Sequence, residues 1–234
     1  MSGTVRRGRS TIIQRTAVAV IAASVLVGGL YFASLSGTSP EIYGNDFSVY
    51  YHAAREVISG RDPYQRSLGD WTPYIYPPLF AELLVPLALL PLPVAAYAWF
   101  LISAASIAFT ACASAGLATD KPGSSEQQRA GEPATLQAAI AGCAVLLVLR
   151  FVLDTFSLGQ VNALVAALVV AHLYLYSRNR TMLSAVALVV AVSIKLTPAL
   201  FVLYHAAKLR LKYAVTCAAL VVAVNTVSFL PSGL

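Results

Sequence analysis

Five groups of side chains could do chemistry in this chain. The stretch DFSVYYHAAREVISGRDPYQ, from Asp46 to Gln65, gathers carboxylates, arginines, a histidine and three tyrosines within an otherwise greasy sequence. Asp46 stands at the head of a run with helical spacing, where a carboxylate either caps the helix or serves as a base at the mouth of a cavity; local pattern alone favours the cap. His52, in the same run, is a weaker candidate for substrate contact. Further on, Tyr74 and Tyr76 precede Pro77 and Pro78, forming either an interfacial aromatic belt or a platform for a sugar ring or lipid tail. Gln160 and Asn162 place two amides at a helix start, suited to binding hydroxyls or a phosphate, although capping accounts for them almost as well. Lys195 lies between Ile194 and Leu196, more than ten residues from any basic cluster, and a cation that cannot snorkel out of an apolar segment marks a functional site.

The elements that must position these residues follow from composition. Apolar types make up 58% of the 234 residues and charged types 11%, with a mean hydropathy of +0.73. That balance belongs to an integral membrane protein, and the unbroken apolar runs approach the ~20 residues an α-helix needs to cross the hydrocarbon core. The expected fold is therefore an all-α polytopic membrane protein, because each backbone amide in lipid must find its partner within its own segment. The net charge of +6 comes from short basic clusters beside apolar segments, which read as topology signals and not as a nucleic-acid surface. Cys112, Cys143 and Cys217 all fall in apolar segments without ligand spacing, so they are expected to be small core residues, with no disulfide or metal implied.

Residues 1–15, carrying Arg6, Arg7, Arg9 and Arg15, are expected to form a cytoplasmic N-terminus ahead of an uncleaved first span over 16–35. Residues 36–78 then make an external loop with a short amphipathic helix, on which Phe47, Tyr50, Tyr51, Ala54 and Ile58 share a face against the outer membrane surface. Residues 79–92, interrupted by Pro86, are too short to span. Crossings are expected over 93–117, 134–153, 160–177 and 213–230, with a cytoplasmic loop at 118–133 and a return outside at 154–159. Arg150 and Asp154, one turn apart, can pair. Only twenty-seven residues separate Arg180 from Lys208, and they are expected to run out and back as a hairpin with Lys195 near its tip. His172 and His205 read as structural. Walker loops, zinc motifs, Ser/His/Asp sets and Rossmann fingerprints are not apparent.

Six pieces in order, DFSVYYHAA from Asp46, GRDPY from Gly60, YPPLFA from Tyr76, PLALLP from Pro86, GQVN from Gly159 and KLTP from Lys195, resemble the family 87 glycosyltransferases of the GT-C class, polyprenol-phosphate-mannose-dependent α-mannosyltransferases and their relatives. The resemblance runs from the first span onward; members are typically longer, so the chain looks like an N-terminal portion. It implies a GT-C-like helical bundle and an inverting transfer of sugar, mannose first, from polyprenyl monophosphate to a glycolipid or glycan on the outer face of the cytoplasmic membrane. It also implies that Asp46, the matching aspartate of the first external loop, is the catalytic base. Lys195, Gln160 and Asn162 would then hold the donor phosphate or sugar. Tyr50, Tyr51, His52, Tyr64, Tyr74 and Tyr76 would be candidate substrate contacts in one cavity wall. A monophosphate donor does not demand a divalent metal, so no metal or other cofactor is expected. The partners are donor, acceptor and membrane lipids. A flippase-like transporter of lipid-linked sugar and an inactive, truncated membrane subunit are the rival readings; the internal repeat that would favour the transporter is not visible.

Overall fold

The computed structural model describes residues 24, 26–32, 34, 46–64, 73–119 and 134–229. The basic N-terminus and the loops at 36–45, 65–72 and 120–133 fall outside the described residues, as does most of the first span. The described residues within 24–34 are helical. Here a Cβ added at Gly29 would come within 2.7 Å of the Tyr97 ring and one at Gly28 within 3.2 Å of Phe100, so the two glycines let this segment approach its neighbour closely.

Helix α1 is Asp46–Ile58, followed by two short helices, α2 (Pro78–Leu83) and α3 (Val85–Ala88). Pro77, Pro78 and Pro86 cut this stretch into single turns, as a ring at the head of a helix permits and one in its middle forbids. Helix α4 (Leu92–Thr119) is long and uninterrupted; α5 (Ala134–Leu147) and α6 (Leu149–Leu158) meet at a 69° bend. Then come α7 (Asn162–Ser177), α8 (Thr181–Ile194), α9 (Ala199–Ala207) and α10 (Leu211–Phe229). By length and composition α4 and α10 can cross a membrane, and the bent α5–α6 pair is apolar enough to be either a third, broken span or a re-entrant loop. The chain is an all-α membrane protein.

These helices are apolar all round, and their inward sides mix large residues such as Trp99, Leu188 and Ile194 with many small ones. Ala95, Ala96, Ser103 and Ser106 on α4, Ala163 and Ala167 on α7, and Ser184, Ala185, Ala187 and Ala191 on α8 are buried, while Leu101, Phe109, Leu183, Val186 and Val222 point outward. In lipid no hydrophobic force separates the two sides, and close backbone approach through small residues wins. Helix α7 lies between α4 and α8, and α8 packs on α10.

The segment 181–207 doubles back. His205 on α9 meets His172 on α7 with their Nε2 atoms 3.2 Å apart, and His172 Nδ1 is 2.8 Å from Ser184 Oγ at the start of α8. The chain thus leaves this level along α8, turns at Lys195 and returns along α9. Tyr213 from α10 joins the knot through a 2.8 Å contact with Ser184 Oγ. The Arg210 guanidinium lies 4.7 Å from the centre of the Tyr176 ring, bringing the basic clusters at 178–180 and 208–212 to one end of the bundle.

Several expectations are corrected. The apolar face of α1 lies against protein, not along a membrane surface: Phe47 stacks on Trp99 with ring centres 5.5 Å apart, and Tyr50 meets Phe80 edge-on at 4.9 Å. Ile58, expected on that face, is exposed because α1 ends there and turns at Gly60, whose φ of 65° favours glycine. The expected loop at 154–159 is helical as far as Leu158, since nothing breaks the helix before Gly159. The bend falls at Val148 instead. Among the described residues the ion pair is Arg61 with Glu56, and Arg150 and Asp154 do not close one. Of the cysteines only Cys217 is in the core; Cys112 and Cys143 are exposed, on the outward sides of their helices.

Candidate active site

Three separate elements converge at the end of the bundle opposite the basic clusters. The first is the start of α1. Asp46 is its first residue, and Tyr50, one turn on, lies on the same side of the helix. The Tyr50 ring is buried, and its hydroxyl donates to that of Tyr76 at 3.0 Å. Tyr76 is held in turn: its carbonyl accepts from the Tyr64 hydroxyl at 2.8 Å, and the Tyr74 hydroxyl donates to Pro77 O at 2.9 Å, which stiffens the turn into α2.

The second element is the α6–α7 turn, GQVN. Gly159 adopts φ 64°, its N–H reaching Phe156 O at 3.3 Å while the Gln160 N–H reaches Thr155 O at 3.0 Å. This paired closure of a helix end requires a left-handed residue, the conformation that costs glycine least. The Trp99 indole of α4 donates to Gly159 O at 2.9 Å and so fastens the turn to the aromatic cluster under α1. Val161 is buried, and its amide bonds to the Tyr50 hydroxyl.

The third element is the tip of the α8–α9 hairpin. Lys195 leaves the helix in an extended conformation, φ −145° and ψ 132°, and Pro198 opens the next helix. The Lys195 ammonium donates to Asn162 Oδ1 at 2.8 Å, and Asn162 Nδ2 donates to Gln160 Oε1 at 2.6 Å. The two amides thus orient the lysine and each other, with the Gln160 amide donors and one from Asn162 not used in these bonds. Two of the three ammonium protons remain for a ligand.

Asp46 and Lys195 share one electrostatic neighbourhood without closing into an ion pair. Burial raises the Asp46 carboxyl above its usual range, while the Lys195 charge and the nearby Tyr50 hydroxyl pull it back down. Burial also raises Tyr50 and Tyr74, keeping both phenols neutral donors. A half-buried carboxylate with a raised pKa in the field of a cation can take a proton from a hydroxyl, and the cation can receive negative charge that develops near it.

Beside Tyr76 a groove of about 550 Å³ runs between α8 and α10, walled by Val192, Leu196, Val221, Val222 and Phe229. Tyr64 and Tyr76 line its upper edge. Tyr51 and His52 lie elsewhere: the Tyr51 hydroxyl donates to Leu90 O at 2.8 Å, and both residues line a second cleft on the far side of α1 that neither Asp46 nor Lys195 lines.

Trp99, Phe80 and Val161 were not singled out from the sequence. Trp99 had a signal: it is one of two tryptophans and lies near the start of an apolar helix, where a buried indole N–H needs an acceptor.

Among known families, the model for Glycosyltransferase family 87 matches residues 74–234, well over half of the chain. Tyr74, Tyr76, Gln160, Asn162 and Lys195 lie inside the matched segment and Asp46 lies before it. No curated protein and no solved structure matches significantly.

Proposed function

The chain belongs to glycosyltransferase family 87 and is a membrane glycosyltransferase, and from that premise we propose that it moves a sugar, mannose first, from polyprenyl monophosphate to a glycolipid or glycan acceptor with inversion. The reaction takes place on the outer face of the cytoplasmic membrane. Supporting that side, the arginines ahead of the first span favour a cytoplasmic N-terminus, and Arg178, Arg180, Lys208, Arg210 and Lys212 lie at the end away from Asp46.

The observation that carries the reading is that the Lys195 charge acts on the half-buried Asp46 carboxyl, with Tyr50 bonded to Tyr76 beside the one and Asn162 bonded to the other. In the proposed step the acceptor hydroxyl gives its proton to the Asp46 carboxylate. Its oxygen bonds to the anomeric carbon from the face opposite the phosphate. The bond from that carbon to the phosphate oxygen breaks, and its electron pair leaves on polyprenyl phosphate. Lys195 faces the oxygen on which this charge grows, and it acts most strongly in a site that water reaches poorly. The groove between α8 and α10 takes the first isoprene units, with Tyr76 at the boundary between sugar and lipid.

Full-length protein in lipid nanodiscs, supplied with radiolabelled polyprenyl-phosphate mannose and a lipid acceptor, is expected to transfer sugar. Asp46→Asn is expected to lower turnover by ~10²–10⁴-fold, the usual contribution of a positioned base. Normal turnover in that variant, at equal folded yield, removes Asp46 from the mechanism.

A further inference from the structure

The cleft behind α1 is lined by neither Asp46 nor Lys195. It encloses about 510 Å³ between α1 and the turn joining α3 to α4, and Arg55, Glu56, Ser59 and Arg61 line it together with Leu89, Leu90 and Pro91. Its geometry is set from both sides. The Tyr51 hydroxyl bonds to Leu90 O, and Arg55 Nη1 donates to Ala88 O at 3.3 Å, so α1 is tied to the turn at two points. Glu56 is 5% exposed and ion-paired with Arg61. Two guanidiniums therefore face one carboxylate, and Arg55, exposed at the cleft, pairs with no carboxylate among the described residues.

The depth of the cleft follows from α4. Its apolar stretch, Leu92–Ala118, is 27 residues long. At ~1.5 Å per residue that is ~40 Å, the thickness of the hydrocarbon core plus both headgroup layers. Pro91 immediately precedes it, so the cleft opens at headgroup level. Around its mouth Leu83, Leu89, Leu90 and Val94 are exposed, with Leu89 at 66%. Leu89 and Leu90, which line the cleft, give the cationic hollow an apolar shelf, and Val94 follows in the first turn of α4.

We propose that this cleft binds an anionic phospholipid, its phosphate on Arg55 and Arg61 and one acyl chain along the shelf of Leu89, Leu90 and Val94. A phosphate suits the planar, multiply donating guanidinium. The shelf distinguishes a lipid from a soluble anion, which would gain nothing from exposed leucines. A lipid seated there bridges α1 to the start of α4 and so braces the helix that carries Asp46.

The test is native mass spectrometry of the full chain in detergent, titrated with palmitoyl-oleoyl phosphatidylglycerol, with the matching phosphatidylcholine and with glycerol 3-phosphate. Phosphatidylglycerol is expected to be retained at least tenfold more tightly than phosphatidylcholine. Arg55→Gln, which leaves the Glu56–Arg61 pair intact, is expected to reduce that retention about tenfold, as loss of one charge-assisted hydrogen bond does. Arg150→Gln on α6 serves as the control cation and is expected to change nothing. If Arg55→Gln lowers the folded yield, Arg55→Lys takes its place and is expected to retain part of the preference. Equal retention of the two lipids, unchanged retention in the Arg55 variant, or glycerol 3-phosphate binding as tightly as the lipid would each overturn the proposal.

Discussion

Replacing Lys195 by methionine removes the charge and keeps most of the stem. In the structure the ammonium donates to Asn162 Oδ1 at 2.8 Å and has two further protons to offer. Asn162 is exposed, so water replaces the lost bond and the fold changes little. The effect falls on the donor instead. A hydrogen bond to a charged group contributes ~1.5–3 kcal/mol net, so kcat/KM for the polyprenyl-phosphate sugar is expected to fall roughly 10–150-fold. The pH profile supplies a second readout. Burial lifts the Asp46 carboxyl above its usual value of 3.8, and Lys195 opposes that lift. The acidic limb of kcat/KM is therefore expected above 3.8 in the wild type, and higher still in Lys195→Met, because the base must be ionised to act. Donor saturation curves at several acidic and neutral pH values measure both. Unchanged donor dependence together with an unmoved acidic limb would refute the shared neighbourhood of Asp46 and Lys195.

Two more outcomes follow from the same geometry. A carboxyl whose folded pKa is raised adds stability below its unfolded pKa and loses it as pH rises through the folded one. Asp46→Asn is therefore expected to raise Tm at neutral pH, with the gain shrinking as pH falls and the wild-type carboxyl takes up its proton; a Tm lower than wild type at pH 7 contradicts this. Gly159→Ala places a Cβ on a backbone at φ 64° and is expected to cost ~1–2 kcal/mol of stability, measurable by thermal unfolding in detergent, while Gly159→Asn recovers most of it.

Much of this architecture was legible in the sequence because the bilayer leaves few options. Long apolar runs in lipid must be helical, so α4 and α10 stand where hydropathy put them. The hairpin at Lys195 was legible from arithmetic: the residues between two basic clusters were too few for two full crossings. Other features left no local trace. The bend at Val148 has neither proline nor glycine to announce it. The α1 face was visible, but whether it meets lipid or Trp99 was not, because both are apolar and periodicity does not distinguish them.

By itself, then, the sequence determined the helical class, the hairpin at Lys195 and the residue types worth watching, since these depend on composition and on spacings along the chain. Only the tertiary structure decided that Asp46 shares its surroundings with Lys195 while Tyr51 and His52 turn to another cleft. That arrangement rests on α7 packing between α4 and α8 through small side chains, and such contacts join residues far apart in the chain, whose separation no local pattern encodes.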